Sequence, residues 1–585
     1  YAKMTGASSV AKTSKNEGTI DIKADGAGKS AAMYSLMENG TTKVMTTKNT
    51  KDIEVAQKTS AGIYVKNESA ADKTTSLAEN TGLIQMTGEK SVGIIAEKSK
   101  VTNSGTGTNG IEISGNNSAG ILATKESEVT NSGRIEGNTG TKLVGISVDE
   151  TSTVINSGSI IMNTAQNTGI ASKGGQVTNS GTITLVKNNS TGISAENADV
   201  TNTSTIEVKD EKSVGIYAKM SGNVDKKVTN TGTITLESPT GTTPNQSAAI
   251  YSLVDSGAGI LTTENNGTIN IAGAGGNSLS SGIAILEDGN LTGNASIRAY
   301  TGKVLNKGNI NVSGGEGNTG MVLINKANDN ITNETAGKIN VTGSKNIGMR
   351  ADLGTVATDD TATRLLPTAI NKGTISITNG EQNIGMVANN SDGGTTTVGS
   401  ETVMKNRAVA KNEAGAKILF NGVSEKGIGL FAEKGGEIIN SGEIKGNNTT
   451  NLKETIGMVI QPKNGALVAN GTNTGTIELE GTKVTGVYNQ GVFDMTAGSI
   501  TTSGEKSISL YANNGATTKI SKGSITAKNA ALGLFADNTT IELGASTGTD
   551  APTLNASGKG TLLFYNYTEN SGAYNPLGKF KLNQD

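Results

Sequence analysis

The chain of 585 residues has no cysteine, no histidine and no tryptophan. Those absences exclude a disulfide framework, a structural zinc site built on Cys or His, a thiol nucleophile and a Ser-His-Asp triad. Proline occurs only 6 times and aromatics number 17, as 11 Tyr and 6 Phe. So little proline, with aliphatic residues spread along the chain, argues against a collagen or a disordered linker. Fifty Lys and Arg stand against 52 Asp and Glu, a net charge of −2. That balance supplies no basic field for nucleic acid and no polybasic anchor for a membrane surface. No run of 18 apolar residues is present, and no basic segment followed by an apolar stretch opens the chain; neither a spanning helix nor a leader is written in it. A cysteine-free chain is compatible with export through an oxidising compartment.

What is abundant is Gly (79), Thr (79) and Asn (63), together more than a third of the chain. They fall in a repeat. One motif, V-x-N-[ST]-[GS]-x-I, occurs at Val129–Ile135, Val154–Ile160, Val177–Ile183, Val200–Ile206 and Val228–Ile234. A second, [ST]-x-G-I, begins at Ser91, Ser118, Ser190 and Ser213. The two alternate. Asn131, Asn156, Asn179, Asn202 and Asn230 are spaced by 25, 23, 23 and 28 residues. Looser copies such as INKGTISI from Ile370 and NIGMVAN from Asn383 extend the pattern through nearly the whole chain.

Each repeat carries two or three short runs of period-two alternation rich in Val, Ile and Thr, which is a strand pattern. In VTNSGTITL, Val177, Ile183 and Leu185 are expected to point inward, and Thr182 and Thr184 outward. Asn-Ser-Gly between the runs reads as a turn, with Asn and Gly supplying backbone conformations of positive φ. A unit of this length cannot bury its apolar face alone, and stacking the units buries a continuous column. The predicted fold is therefore all-β: a right-handed parallel β-helix, or solenoid, with loop insertions, the hand following from the crossover rule. A leucine-rich repeat would need Leu-x-x-Leu-x-Leu spacing, which is missing. Residues 1–585 read as one β-helix segment, and 585/25 gives about 23 coils. The motif asparagines are expected to stack at matching corners and hydrogen-bond from coil to coil. The opening Tyr1-Ala2-Lys3-Met4 repeats Tyr217-Ala218-Lys219-Met220, and the last segment from Gly578 is strand-like. Both ends are therefore expected to continue into further coils of a longer parent chain.

Motifs with a chemical reading are few. Gly26-Ala27-Gly28-Lys29-Ser30 lacks the first glycine of a phosphate-binding loop, because Lys23 stands there, and reads as a turn before a strand. Gly314-Gly315-Glu316-Gly317-Asn318 has Asn where a calcium-binding turn needs Asp, and reads as an ordinary glycine turn. Five interruptions of the repeat are where function is expected: 237–246, 287–303, 353–368, 391–409 and 544–560. The third concentrates charge. Arg350, Asp352, Asp359, Asp360 and Arg364 are the candidate partner-binding residues, in a chain with only five Arg. Arg is suited to bidentate recognition of carboxylates, including sugar acids. Paired carboxylates such as Asp359 and Asp360 also occur in glycoside hydrolysis, against which stands the plainer reading of a solvated loop. The C-terminal aromatics Phe564, Tyr565, Tyr567, Tyr574 and Phe580 read as core or end-covering residues. No residue set calls for a metal or a cofactor, and no catalytic residue is assigned.

Strings such as VTNSGTITL, SVGIYAK and NIGMVA resemble the passenger domains of large fusobacterial type V autotransporter adhesins of the RadD type. The resemblance implies a long right-handed β-helix displayed at the bacterial cell surface and anchored in the outer membrane by a C-terminal barrel. It implies partners among surface proteins or glycans of other bacteria and host cells. The segment itself is expected to be monomeric, without nucleic acid, membrane contact or catalysis. Two alternatives stand beside this adhesin reading: a polysaccharide-degrading β-helix enzyme, and a spacer with no partner of its own.

Overall fold

The computed structural model describes residues 1–585 except 6–9, 25–28, 71, 238–245, 257–258, 278, 287–301, 325–329, 354–366, 391–394, 399–400, 405–406, 447–451, 464–466, 514, 546–549, 568–578 and 583–585. The chain divides into two compact units, Tyr1–Asn270 and Ile271–Asp585. Each is a parallel β-helix of three sheets. The repeat explains the order. The x-x-G-I motif, led by Ser91, Ser118, Leu143, Asn167 and Ser190, makes one strand, as in Val92–Glu97, Ala119–Thr124, Val144–Val148, Thr168–Lys173 and Thr191–Glu196, which pair in parallel and form the glycine sheet. V-x-N makes the next, as in Glu128–Asn131, Thr153–Asn156 and Val177–Asn179, the asparagine sheet. The following x-I-x-x run makes the third, as in Ser159–Met162, Thr182–Leu185 and Thr205–Val208, the isoleucine sheet. In the second unit the same cycle runs, for example, through Ile428–Glu433, Glu437–Asn440 and Glu443–Gly446.

Among the described residues each unit has ten glycine-sheet and ten asparagine-sheet strands. Two sets of ten are fewer than the 23 coils that a 25-residue period predicts. Insertions account for the difference: Asn333 and Asn371, 38 apart, and Asn371 and Asn412, 41 apart, are neighbours in register. The helical content among the described residues is one short 3₁₀ turn, Lys73–Thr75, capped by Asp72. A lone antiparallel pair, Thr395–Val398 with Glu401–Met404, lies in the interruption 391–409.

The inward assignment holds at each test position. Val177, Ile183 and Leu185 are fully buried, Thr182 is exposed and Thr184 is half-buried. The corner turn differs from expectation. The motif asparagines and their following glycines do not adopt positive φ. Gly181 is required for another reason: a Cβ there would stand 2.0 Å from the carbonyl oxygen of Gly158 on the neighbouring coil. The glycine of [ST]-x-G-I is likewise a packing residue. Gly169 and Ile170 are both buried, breaking the alternation, and a Cβ on Gly169 would lie 2.6 Å from the carbonyl oxygen of Gly192 on the next coil and 3.0 Å from Ile183 Cγ2. Left-handed backbone occurs instead at Lys90, Asn117, Lys142, Asn189 and Lys212, just before the glycine-sheet strands. Coil-to-coil hydrogen bonds hold these stacked turns, for instance Lys90 N–H to Asn116 O at 2.9 Å and Asn117 N–H to Thr141 O at 3.0 Å. That offsets the strain of φ > 0 at a residue with a side chain.

Candidate functional site

The interior carries polar ladders. In the first unit Asn16, Asn49, Asn80, Asn103, Asn131, Asn156, Asn179, Asn202, Asn230 and Asn265 form an unbroken amide column. Each Nδ2 donates to the Oδ1 of the next at 2.7–2.8 Å. In the second unit the column runs from Asn306 through Asn333, Asn371, Asn412 and Asn440 to Asn473, each step 2.8 Å. These amides are buried and mutually satisfied, which is what a buried polar group needs. The expected coil-to-coil ladder is thus observed, and the motif asparagines are structural.

A second ladder went unread in the sequence. The residue opening each [ST]-x-G-I strand accepts from the amide of its neighbour one coil back, as in Ser91 N–H to Ser118 Oγ at 3.0 Å and Ser190 N–H to Ser213 Oγ at 3.1 Å. In the second unit Asn replaces Ser: Asn318 N–H donates to Asn346 Oδ1 and Asn346 N–H to Asn383 Oδ1, both at 2.9 Å. This absorbs the Gly314–Asn318 motif, whose glycines 314, 315 and 317 take positive φ and whose Asn318 is fully buried. Lys29 and Ser30 lead into the strand Ala31–Met37, while Gly26, Ala27 and Gly28 lie outside the described residues.

Of the five candidate residues, Arg350 and Asp352 sit on the outer face of the glycine-sheet strand Ile347–Leu353. Arg350 Nε donates to Asp352 Oδ2 at 2.8 Å. The Asp352 side chain is 13% exposed and its Oδ1 makes no hydrogen bond. Arg350 is thus engaged within its own strand. Asp359, Asp360 and Arg364 lie outside the described residues, as do most of the five interruptions. No group of three Asp or Glu among the described residues is arranged to hold a metal ion.

The outer face of the glycine sheet carries most of the described tyrosines, while Phe420 and Phe493 are buried in the core. The residue after Gly-Ile points outward, so coils with Tyr or Phe there stack their rings. Tyr1, Tyr34 and Tyr64 form one stack, with centroids 5.2 and 5.0 Å apart, and Tyr217 and Tyr251 another at 5.4 Å. In the second unit Tyr488, Tyr511, Phe535 and Tyr565 continue at 5.1, 4.6 and 5.1 Å. Rings meet one another, and the hydroxyls of Tyr64 and Tyr511 are tied to carboxylates. Tyr64 Oη donates to Glu97, and Tyr511 Oη donates to Asp537 at 2.8 Å. Burial pushes both phenols up and these bonds reinforce it, Tyr511 reaching about 12. Burial alone would raise the Glu97 carboxyl, but hydrogen bonds from Lys125 and Tyr64 hold it below its usual range. The G-I-Y strings at 62–64 and 215–217 signal these stacks in the sequence. Of the C-terminal cluster, Phe564 and Phe580 meet edge-on at 4.9 Å on the inward columns, and Tyr565 belongs to the outer stack.

Residues 3–197, a third of the chain, match the family model of the BigA third pectate lyase-like domain. The description agrees with the parallel β-helix seen over those residues. No curated protein matches the chain.

Proposed function

We propose that this chain is an adhesive stalk segment of a bacterial surface protein, carrying contact surfaces on its outer sheet faces and insertions, with no catalysis of its own. The observation that supports this most is the match to a BigA domain over residues 3–197, on a β-helix whose inward columns are buried aliphatic side chains and hydrogen-bonded asparagines. The repeat strings extend the proposal to the fusobacterial RadD-type autotransporters, and with it to outer-membrane anchoring by a barrel and to partners among proteins or glycans of other bacteria or host cells. Among the described residues no helix is long and apolar enough to cross a membrane, which leaves such a barrel unaddressed. Arg350, Asp352, Asp359, Asp360 and Arg364 remain the proposed contact residues of the charged insertion.

The pectate lyase-like description favours one second reading, polysaccharide cleavage, because that fold hosts such chemistry; fold alone does not supply it. The test is binding of the purified chain to bacterial and host cells, run beside an assay for sugar released from neutral and acidic glycans. Saturable cell binding without release supports the adhesive reading. Turnover abolished by Asp359→Asn supports the enzyme.

A further inference from the structure

On the outer face of the glycine sheet in the first unit, the column that begins with tyrosines contains a dip. In register it reads Leu122, Ser147, Ala171, Ser194, Tyr217. Three small side chains between two large ones leave a hollow of about 310 Å³, walled on one side by Asp149, Lys173 and Glu196. Lys173 and Glu196 also line a second hollow of about 460 Å³ over the turns that follow, with Glu150, Asn197 and Lys226. The two hollows share these walls, and each has the size of a small-molecule site. Leu122 to Tyr217 is four coil steps of ~4.8 Å, roughly 19 Å along the axis.

Part of the charge around it is already engaged: Asp149 accepts from Lys125 N–H, Thr151 N–H and Ser152 Oγ, and Lys226 stands 4.0 Å from Asp199. On this sheet oppositely charged neighbours normally pair: Lys125 with Glu97 at 2.6 Å, Lys219 with Asp255 at 2.9 Å. Lys173 and Glu196 are direct register neighbours, yet they form no ion pair within 4.0 Å. Neither they nor Glu150 makes any side-chain hydrogen bond or ion pair among the described residues. Lys219, the other register neighbour of Glu196, is drawn away by Asp255. The rim is built rather than loose. Asn197 Oδ1 accepts from Ser221 N–H at 2.6 Å, and Asn197 Nδ2 donates to Ser221 Oγ at 3.2 Å. Gly174, at φ +89, lets Glu150 close in, since a Cβ there would stand 2.8 Å from Glu150 Cα.

We infer that this double hollow binds a short neutral oligosaccharide lying along the coil axis; the inference deepens the adhesive reading and rests on it. Carboxylates of Glu150 and Glu196 accept from vicinal sugar hydroxyls, and Lys173 donates to a hydroxyl or ring oxygen. The small side chains of Ser147, Ala171 and Ser194 provide a flat floor. Three carboxylates, Asp149, Glu150 and Glu196, against Lys173 and Lys226 leave a net charge of −1 around the hollows, which disfavours a polyanionic chain such as a polyuronate.

The test is isothermal titration of the full chain with cellotetraose, chitotetraose and lacto-N-neotetraose, with tetragalacturonate as the charged comparison. Sub-millimolar binding of a neutral tetrasaccharide is expected, weakened about tenfold or more by Glu196→Gln or Lys173→Ala, because each removes a charge-assisted hydrogen bond. Ala171→Tyr fills the dip with the residue the same column already carries at Tyr217, so the fold tolerates it and binding is lost. No binding of any neutral tetrasaccharide, tighter binding of tetragalacturonate, or binding unchanged in Ala171→Tyr and Glu196→Gln would overturn the assignment. Cell adhesion that persists while every sugar fails also overturns it and leaves the adhesive reading standing. Sugar binding with no cell adhesion upholds the site and removes the adhesive reading.

Discussion

The coils around Asn131–Asn230 and the coils around Tyr488–Leu582 close the same corner with opposite chemistry. In the first region the corner is an amide column, each Asn bonded to the coil on either side. In the second the column stops at Asn473, and the register positions that follow are Met495, Ile520 and Leu543. The outer face changes in the other direction. Ser147, Ala171 and Ser194 stand where the late coils carry Tyr511, Phe535 and Tyr565. A solenoid corner therefore has no obligatory residue. It needs either complete hydrogen bonding or complete absence of polar groups, since the intermediate case leaves a buried amide unpaired. The late coils carry stacked rings on the outside, and inside them Asn489 donates to Thr517 O and Thr518 Oγ1 instead of to a further asparagine.

The inward isoleucines are common to both regions, so the largest expected effect ignores the difference between them. Ile183→Asp and Ile525→Asp, both at fully buried positions, should each cost about 4 kcal/mol or more, because an unpaired charge enters a dry column. A denaturant midpoint that moves much less in one region would show its core to be open. The corner itself should separate the regions. Asn156→Leu strands an amide hydrogen on Asn131 and an acceptor on Asn179, at about 2–4 kcal/mol. Ile520→Asn places an amide between Met495 and Leu543 and should cost a similar amount. Met495→Asn merely lengthens the existing ladder beyond Asn473, and a loss below about 1 kcal/mol is expected. If Ile520→Asn proves as harmless as Met495→Asn, the two-chemistry account of the corner fails.

The aromatic stack offers a smaller effect read by pH. Burial and the bond to Asp537 raise Tyr511 from an ordinary 10.0 to about 12 in the folded chain. The stability this contributes is present below pH 10 and lost as pH rises through about 12, because the unfolded chain releases its proton first. Tyr511→Phe should flatten the fall in thermal midpoint over that window, and an unchanged slope would show that the phenol titrates normally. Smallest of all is Thr182→Asp on the exposed face, expected to shift stability by about 0.5 kcal/mol or less. An effect near that of Ile183→Asp would invert the assignment of inside and outside.

Much of this was legible in the residues. Period-two alternation placed Val177, Ile183 and Leu185 in the core, and the spacing of the motif asparagines anticipated their ladder, because a side chain repeated at one corner of a stacked coil meets its own copy. The candidate charged insertion was legible only as an irregularity. Arg350 and Asp352 turn out to bond each other on a sheet face, a consequence of alternation placing residues two apart on one side.

By itself, then, the sequence determined the repeat, the strand periodicity and which side chains face inward, all of which depend on local spacing. Tertiary structure alone decided why the glycines are glycine. Gly181 is kept small by a carbonyl oxygen 23 residues away in sequence, and Gly169 chiefly by the carbonyl oxygen of Gly192 on the next coil, while positive φ at residues with side chains falls on Lys and Asn such as Lys90 and Asn117. It also decided that Lys173 and Glu196, adjacent in register, stay apart. Contacts between coils set these distances, and no single repeat contains both partners.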